Sequence, residues 1–196
     1  MTVKGLYYRN DPILLGVPPQ KPPYDPDKLR QYMRSALLVK QLQNHGIPGI
    51  SNAWCYGIGG CRLFVVVSIK QGYQGQARQV GHAAYTTPIV NFAGKYVIVV
   101  DDDIDVTDMN DVMWALLTRS DPATSIDIIT RATSSGTDPR ISPEDRAAGL
   151  YYNSRAIIDA TKPFEWIDRF PKNVSPDQEY KKKSREMFGH LFELKK

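Results

Sequence analysis

Three runs of consecutive apolar, mostly β-branched residues mark the predicted strands of this chain. They occupy residues 62–69, 96–100 and 126–130. Apolar runs without alternation are typical of strands that are covered on both faces. Helical stretches separate them, at residues 75–85 and 108–119. Because strands and helices alternate, the sequence predicts an α/β fold: a three-layer α/β/α sandwich with a mostly parallel sheet.

A lead-in and one long helix precede the first predicted strand. Residues 1–10 predict a short strand or an extended lead-in, and the prolines that follow favour an irregular loop up to residue 25. Asp25 as the cap and Pro26 in the first turn then predict a helix that ends near His45, before Gly46. The predicted buried stripe of this helix comprises Leu29, Met33, Leu37 and Leu42.

The C-terminal part of the chain predicts a loop and two further helices. Residues 132–144 predict a polar loop, and residues 153–160 predict a short helix. Residues 176–196 predict an amphipathic helix, whose apolar side has to be buried against another domain or another subunit. That side comprises Tyr180, Met187, Phe188, Leu191 and Phe192. We therefore predict one domain over residues 1–175, followed by a helix that makes an oligomer or interdomain contact.

Composition and charge exclude two kinds of partner. The chain has 196 residues, enough for one packed core, and a formal net charge of +4. The basic excess comes largely from Lys181, Lys182, Lys183, Lys195 and Lys196. No basic stripe with interleaved aromatic residues occurs elsewhere, so nucleic acid is not a predicted partner. Because the sequence contains neither an apolar run of ~18 residues nor a signal-sequence pattern, we expect a soluble, cytoplasmic protein without membrane contact.

Cysteine and histidine suggest neither a disulfide framework nor a metal site. Cys55 and Cys61 are the only cysteines, and their spacing fits neither a zinc site nor a redox pair. Both lie in apolar stretches, which predicts buried free thiols. The three histidines, His45, His82 and His190, are scattered along the chain.

The carboxyl ends of the predicted strands are where a ligand would bind in an open parallel sheet. The loops predicted to leave those ends comprise residues 70–73, 101–105 and 131–138. Within the second loop, Asp103, Asp105 and Thr107 match the DxDxT opening of haloacid-dehalogenase-type phosphatases. In such enzymes the first Asp attacks phosphorus, the second is an acid/base, and Mg²⁺ neutralises charge. The structural alternative is that these carboxylates cap the next helix, together with Asp108.

Longer segments of the chain resemble the UbiD family, in the same order along the sequence. The segments cover residues 67–77, 94–105, 110–119, 136–139 and 158–161, and similarity extends from about Val3 to Pro171. The 94–105 segment reads GKYVIVVDDDID, and the 110–119 segment reads NDVMWALLTR. This resemblance is far more extensive than the five-residue phosphatase match.

The resemblance implies a lyase that decarboxylates aromatic, heteroaromatic or α,β-unsaturated acids reversibly and without oxidation. It implies prenylated FMN as the cofactor, held with Mn²⁺ (or Mg²⁺) and K⁺ by a separate flavin-binding domain. The family's Glu-Gly-Pro-Phe/Tyr-Gly-Glu/Asp signature does not occur in residues 1–196. We therefore assign no catalytic, cofactor-binding or metal-ligating residue to this chain. We expect it to be inactive alone and to need an N-terminal flavin domain, on the same or a separate chain.

In the family, the C-terminal domain closes over the flavin domain, lines part of the substrate pocket and forms oligomer contacts. Two segments of this chain are therefore candidates for contact with the substrate: Ile13, Leu14 and Leu15, and Thr133, Ser134 and Ser135. Several phenolic-acid members carry His where Leu15 stands, so leucine predicts a more apolar pocket here. Besides the decarboxylase and phosphatase hypotheses, a non-catalytic assembly module remains a third possibility.

Overall fold

The computed structural model describes residues 2–14, 16, 21, 25–174 and 178–191. The chain divides into two compact units between Lys162 and Pro163. The first unit contains all the strands described. In the second unit, a 3₁₀ segment at Phe164–Arg169 is followed by a helix at Gln178–Phe188 and a short 3₁₀ turn at Gly189–Leu191.

A five-stranded mixed sheet forms the centre of the first unit. Its strands are β1 (Ile50–Cys55), β2 (Phe64–Ile69), β3 (Tyr96–Asp101), β4 (Ile126–Thr133) and β5 (Tyr152–Ala160). The spatial order is β1-β2-β3-β5-β4. The central strands β2, β3 and β5 are parallel, whereas β1 and β4 pair antiparallel at the two edges. The α/β prediction with a mostly parallel sheet centre is therefore confirmed.

Helices cover both faces of the sheet. They are α1 (Asp25–Asn44), α2 (Gln76–Thr86), α3 (Met109–Arg119) and α4 (Pro143–Ala147), and α5 (Gln178–Phe188) follows in the second unit. Helices α1 and α2 share one core with Val65, Val67, Val97 and Val99. Helix α3 shares the other core with Val66, Ile98 and Val100. Alternate residues of β2 and β3 thus enter opposite cores, which explains why these strands are continuously apolar.

Close contact between α2 and the sheet depends on Gly81. A Cβ atom at this position would lie 2.3 Å from Cγ2 of Ile157 on β5. The two cysteines lie in the same core region, and both are buried free thiols, as predicted. Burial raises the pKa of Cys55 to about 12, which makes its thiol unreactive.

Several predicted boundaries were wrong, and tertiary pairing explains most of the differences. Residues 153–160 form β5 rather than a helix, because pairing with β3 and β4 on both sides outweighs weak local preferences. The 126–130 strand is longer, ending at Thr133, and β1 was not predicted. Residues 2–10 contain no strand. The predicted 132–144 loop includes the end of β4 and the start of α4.

The buried stripe of α1 also differs from the prediction. Leu42 is buried, but Leu29, Met33 and Leu37 are exposed. Helix α1 instead turns Ser35, Leu38 and Leu42 inward, at i, i+3 and i+7. Polar bonding sets this rotation, because the hydroxyl of Ser35 accepts a 2.9 Å hydrogen bond from the backbone N–H of Cys55.

The terminal helix is observed as α5 over Gln178–Phe188. Tyr180, Met187 and Phe188 are exposed on it, while Phe192 of the predicted apolar side lies outside the described residues. None of the described helices has the length and hydropathy that crossing a bilayer requires.

Candidate functional site

The carboxyl ends of β2, β3 and β5 meet at one edge of the sheet, which we call the carboxyl edge. Gln71, Asp101 and Lys162 lie there, immediately after or at the end of these three strands. The 131–138 loop was predicted to lie at this edge and does not. Because β4 is antiparallel to β5, its end at Thr133 pairs with Tyr152, the first residue of β5. That loop therefore lies at the opposite, amino edge.

Two carboxylates at the carboxyl edge share one arginine. Nη1 of Arg119 lies 2.7 Å from Oδ2 of Asp101 and 2.8 Å from Oδ1 of Asp103. Nη2 of the same guanidinium donates to the other oxygen of Asp103 at 3.0 Å, so this pair is bidentate. Lys162 adds a second cation, with Nζ 2.7 Å from Oδ2 of Asp103 and its backbone N–H 2.7 Å from Asp101. Gln71 donates to Asp101 at 2.6 Å.

The charges of this network stabilise the charged forms of both Asp103 and Arg119. Burial alone would raise the pKa of Asp103, but hydrogen bonds from Arg119 and Lys162 outweigh it and hold that pKa below its usual value. Burial alone would lower the pKa of Arg119, and the two carboxylates, Asp103 foremost, raise it instead. The guanidinium also lies 5.2 Å from the ring of Trp114. The network is therefore a set of fixed ion pairs that joins three strand ends to the end of α3.

Sequence reasoning found the carboxylates of this network but missed its cations. Arg119 was taken as the last residue of a predicted helix, and Lys162 followed a segment that was predicted to be helical. A buried arginine cannot be distinguished from an exposed one by local pattern, since both end an amphipathic helix equally well.

The geometry around the DxDxT segment favours capping over phosphoryl transfer. The carboxylate of Asp105 accepts hydrogen bonds from the backbone N–H and the hydroxyl of Thr107. Asp108 caps α3 by accepting from the backbone N–H of Asn110 at 2.8 Å. Both oxygens of Asp103 accept hydrogen bonds from Arg119 and Lys162, so ion pairs fix the position of the supposed nucleophile.

The side chains that usually bind metal ions do not cluster in the described part of the chain. Over the described ranges, no three His, Cys, Asp or Glu side chains come close enough to hold a metal ion.

At the amino edge, the predicted residues Ser134 and Ser135 are buried and turned inward. Ser134 donates to Oδ2 of Asp138 at 3.1 Å and accepts from the amide of Asn153 at 3.0 Å. The hydroxyl of Ser135 lies 2.8 Å from that of Thr137. Both hydroxyls are thus occupied by the loop itself, whereas Thr133 is exposed.

Asp138 is the centre of this loop, and its side chain is only 1% exposed. Nζ of Lys95 lies 2.8 Å from its Oδ1, and the backbone N–H of Arg140 and the amide of Asn153 each donate at 3.0 Å. Burial alone would raise the pKa of Asp138, but these donors, Lys95 foremost, lower it to about 2. The carboxylate therefore stays charged and fixes the loop to β5 and to the start of β3.

The other predicted segment lies in the lead-in. Ile13 and Leu14 are 86% and 84% exposed, and Leu15 lies outside the described residues. In the part of the chain that the structure describes, no hydrogen bond, ion pair or ring contact joins Ile13 or Leu14 to Thr133, Ser134 or Ser135. Ile13 and Leu14 thus present apolar side chains to solvent.

Comparison with known proteins identifies the class. Residues 28–160 match the family model of the 3-octaprenyl-4-hydroxybenzoate carboxy-lyase C-terminal domain. This span includes all five strands of the sheet and the Asp101–Asp103–Arg119 network. The chain belongs to this family, and the UbiD resemblance is confirmed.

Individual relatives point to the same class. The chain is 32% identical over 163 residues to the phenolic acid decarboxylase of Sedimentibacter hydroxybenzoicus, an overlap of 82% of this chain and 32% of the relative. The vanillic acid decarboxylase of S. hydroxybenzoicus in closed form is similar in structure, with a TM-score of 0.68, 29% identity and coverage of 86% of this chain and 34% of that one.

A UbiD-class enzyme of Pelotomaculum thermopropionicum in complex with FMN is also similar. Its TM-score is 0.64 at 27% identity, and the overlap covers 75% of this chain and 31% of that one. The chain thus spans about a third of the length of the relatives it matches.

Proposed function

We propose that this chain serves as the C-terminal domain of a reversible, non-oxidative decarboxylase of aromatic, heteroaromatic or α,β-unsaturated carboxylic acids. The observation that carries the proposal is the match of residues 28–160 to a carboxy-lyase C-terminal domain. The decarboxylases among its relatives support the reaction class. Its free cysteines agree with a reducing compartment, so we also propose a cytoplasmic location.

The cofactor in this proposal is prenylated FMN, with Mn²⁺ (or Mg²⁺) and K⁺, bound by an N-terminal flavin domain on the same or a separate chain. Relatives solved in complex with FMN and prenylated FMN support the flavin. In this proposal the chain's own contribution is to shape the pocket and position the acid.

The pocket residues in this proposal are Ile13, Leu14, Leu15, Thr133, Ser134 and Ser135. Ile13 and Leu14 expose apolar side chains, and burying such side chains against an aromatic ring is favourable. Thr133 presents an exposed side chain, while Ser134 and Ser135 contribute by holding the loop in place rather than through free hydroxyls.

Domain closure is the step in which this chain acts on the reaction. The S. hydroxybenzoicus vanillic acid decarboxylase has been solved in an open and a closed form. Closure of the present domain over a flavin domain would exclude water and hold the acid against the cofactor, which is how positioning raises rates.

The test is to measure decarboxylation by the chain alone and together with a UbiD-type flavin domain loaded with prenylated FMN and Mn²⁺. A panel of aromatic, heteroaromatic and unsaturated acids is assayed by carbon dioxide release. We expect turnover only when both domains are present. Leu14→Asp should raise KM because it places a charge beside an apolar ring, whereas Leu6→Asp, equally exposed in the lead-in, is the control.

Two results would contradict the proposal. The first is turnover by the chain alone, and the second is absence of turnover in every combination. A phosphatase arm uses p-nitrophenyl phosphate with Mg²⁺; hydrolysis that is lost in Asp103→Asn would favour the phosphatase hypothesis instead.

A further inference from the structure

A cavity of about 470 Å³ opens at the amino edge of the sheet. Residues of β4 and β5 line it, together with the start of β3 and the loop that leads into α4. Its charged and polar lining includes Lys95, Arg131, Arg140, Asp145, Tyr152 and Asn153. The volume lies within the range of small-molecule sites, which is roughly 300–1,000 Å³.

The charges that line this cavity are not balanced within it. Lys95 is neutralised by Asp138, 2.8 Å away. The guanidinium groups of Arg131 and Arg140 make no ion pair with any carboxylate in the described part of the chain. Asp145 is the one acidic side chain among the lining residues. Two arginines therefore face the cavity against one carboxylate, which favours a bound anion.

Arg131 is held at the cavity by a local irregularity of β4. The register between β4 and β5 shifts between Ile129 and Ala132, and Arg131 has a φ of +55°. A left-handed conformation is unfavourable for a non-glycine residue, and a bulge redirects the side chain that it carries. The guanidinium then lies 4.7 Å from the ring of Tyr152, where the ring face stabilises the cation and limits its movement.

Asn153 also lines the cavity, and its side chain is held in place from the neighbouring loop. Its amide nitrogen donates to Ser134 and to Asp138, each at 3.0 Å. Its Oδ1 atom is buried and therefore does not face a molecule in the cavity. The fixed side-chain amide thus serves as a reporter of binding rather than as a partner of the bound molecule.

We propose that this cavity binds a small organic anion. Its carboxylate or phosphate would pair with Arg131 and Arg140, since arginine binds both groups through paired N–H donors. The proposal concerns the amino edge and residues outside the predicted Thr133–Ser135 segment, so it does not depend on which acid the proposed decarboxylase uses.

The test is a titration of the full chain, followed by ¹H–¹⁵N NMR at the side-chain amide of Asn153 and at Nε of Arg131. The probes are benzoate, 4-hydroxybenzoate, phenyl phosphate and inorganic phosphate, with benzamide as the uncharged analogue. We expect saturable shifts for the anions and none for benzamide. Binding of carboxylates alone or of phosphates alone identifies the head group.

Substitutions of Arg131 and Arg140 test whether these two side chains bind the anion. Arg131→Asn combined with Arg140→Gln should weaken binding by about tenfold, because two charge-assisted pairs are lost. Asparagine tolerates the left-handed conformation at position 131. Arg140→Gln alone should weaken binding about threefold, and folding should be unaffected because this side chain is exposed.

The matched control, Lys182→Gln with Arg185→Gln, removes the same charge from α5. It should change binding by less than about twofold if the cavity arginines are responsible. Equal loss in the control, or the absence of saturable shifts at Asn153 and Arg131 with every anion, would overturn the proposal.

Discussion

At the scale of single residues, Arg119 is a buried charge that two carboxylates hold in place. Its side chain is fully buried, and it bonds two carboxylates that belong to the end of β3 and the loop after it. A buried ion pair contributes little net stability when complete, yet removing one partner leaves an uncompensated buried charge. The stability of the carboxyl edge therefore depends on keeping the whole network.

We predict that Arg119→Met lowers the free energy of unfolding by about 3–5 kcal/mol, because Asp101 would remain buried without its cation. Urea unfolding followed by circular dichroism measures the change. The control is Asp102→Asn, at an exposed neighbouring position, which should change stability by less than about 0.5 kcal/mol. A loss below about 1 kcal/mol for Arg119→Met would mean that the network contributes little.

Asp138 makes a second contribution to the free energy of unfolding, and this contribution depends on pH. Its pKa is lowered from 3.8 to about 2 in the folded chain, so the folded state favours the charged carboxylate. The contribution is present in full above the unfolded pKa and is lost as the pH falls from about 4 to about 2. It amounts to ~2 kcal/mol.

We therefore predict that the stability difference between the wild type and Asp138→Asn shrinks as the pH falls through this window. Urea unfolding at a series of acidic pH values measures it. In Lys95→Met, which removes the main cation, the carboxylate of Asp138 should titrate closer to its usual pKa when followed by NMR. An unchanged titration in Lys95→Met would exclude Lys95 as the cause.

At the scale of elements, α5 carries an apolar side that stays exposed in the described part of its own unit. Tyr180, Met187 and Phe188 lie at i, i+7 and i+8, so they share one helix face, and they are 70%, 61% and 44% exposed. A short helix with such a face is stable in water mainly through packing against something else. This supports the proposal that the C-terminal helix makes an oligomer or interdomain contact.

We predict that a chain ending at Asn173 has a lower oligomeric state than the full chain, as measured by size-exclusion chromatography with light scattering. The double variant Tyr180→Glu and Met187→Glu should reproduce the effect, because it places charges on the apolar face. Lys182→Gln with Arg185→Gln, which leaves that face intact, should not. An unchanged oligomeric state after truncation would count against α5 as an interface.

The strands also show where the local sequence pattern is enough to predict an element and where it is not. Strands β2 and β3 were predicted because both of their faces are buried, which produces unbroken apolar runs. Strand β5 was missed because Tyr152–Ala160 includes polar residues whose partners are distant, such as Arg155, which bonds the carbonyl groups of Asn91 and Thr133. The direction of β4 depends on pairing with β5, so it could not be predicted once β5 was missed.

At the scale of the whole molecule, the sequence predicted the α/β class and the family, because both depend on extended patterns. The candidate site was predicted less well. The sequence shows Asp101 and Asp103 as an acidic run. The cations that pair with them are Arg119, at the end of α3, and Lys162, two residues after β5. The amino-edge cavity requires the antiparallel course of β4 and the left-handed Arg131, and neither leaves a local signal. Predictions about chemistry therefore failed where they depended on long-range pairing.

The position of β5 has a consequence for how the protein is made. Among the described strands β5 comes last in sequence, yet it lies between β3 and β4 in the sheet. While the ribosome is still adding residues before Tyr152, one edge of the apolar strand β3 has no partner and is open to other nascent chains. The sheet domain therefore completes its fold only after Ala160, the end of β5, has been synthesised, and protection of that open edge by a chaperone during translation would be expected to raise its yield.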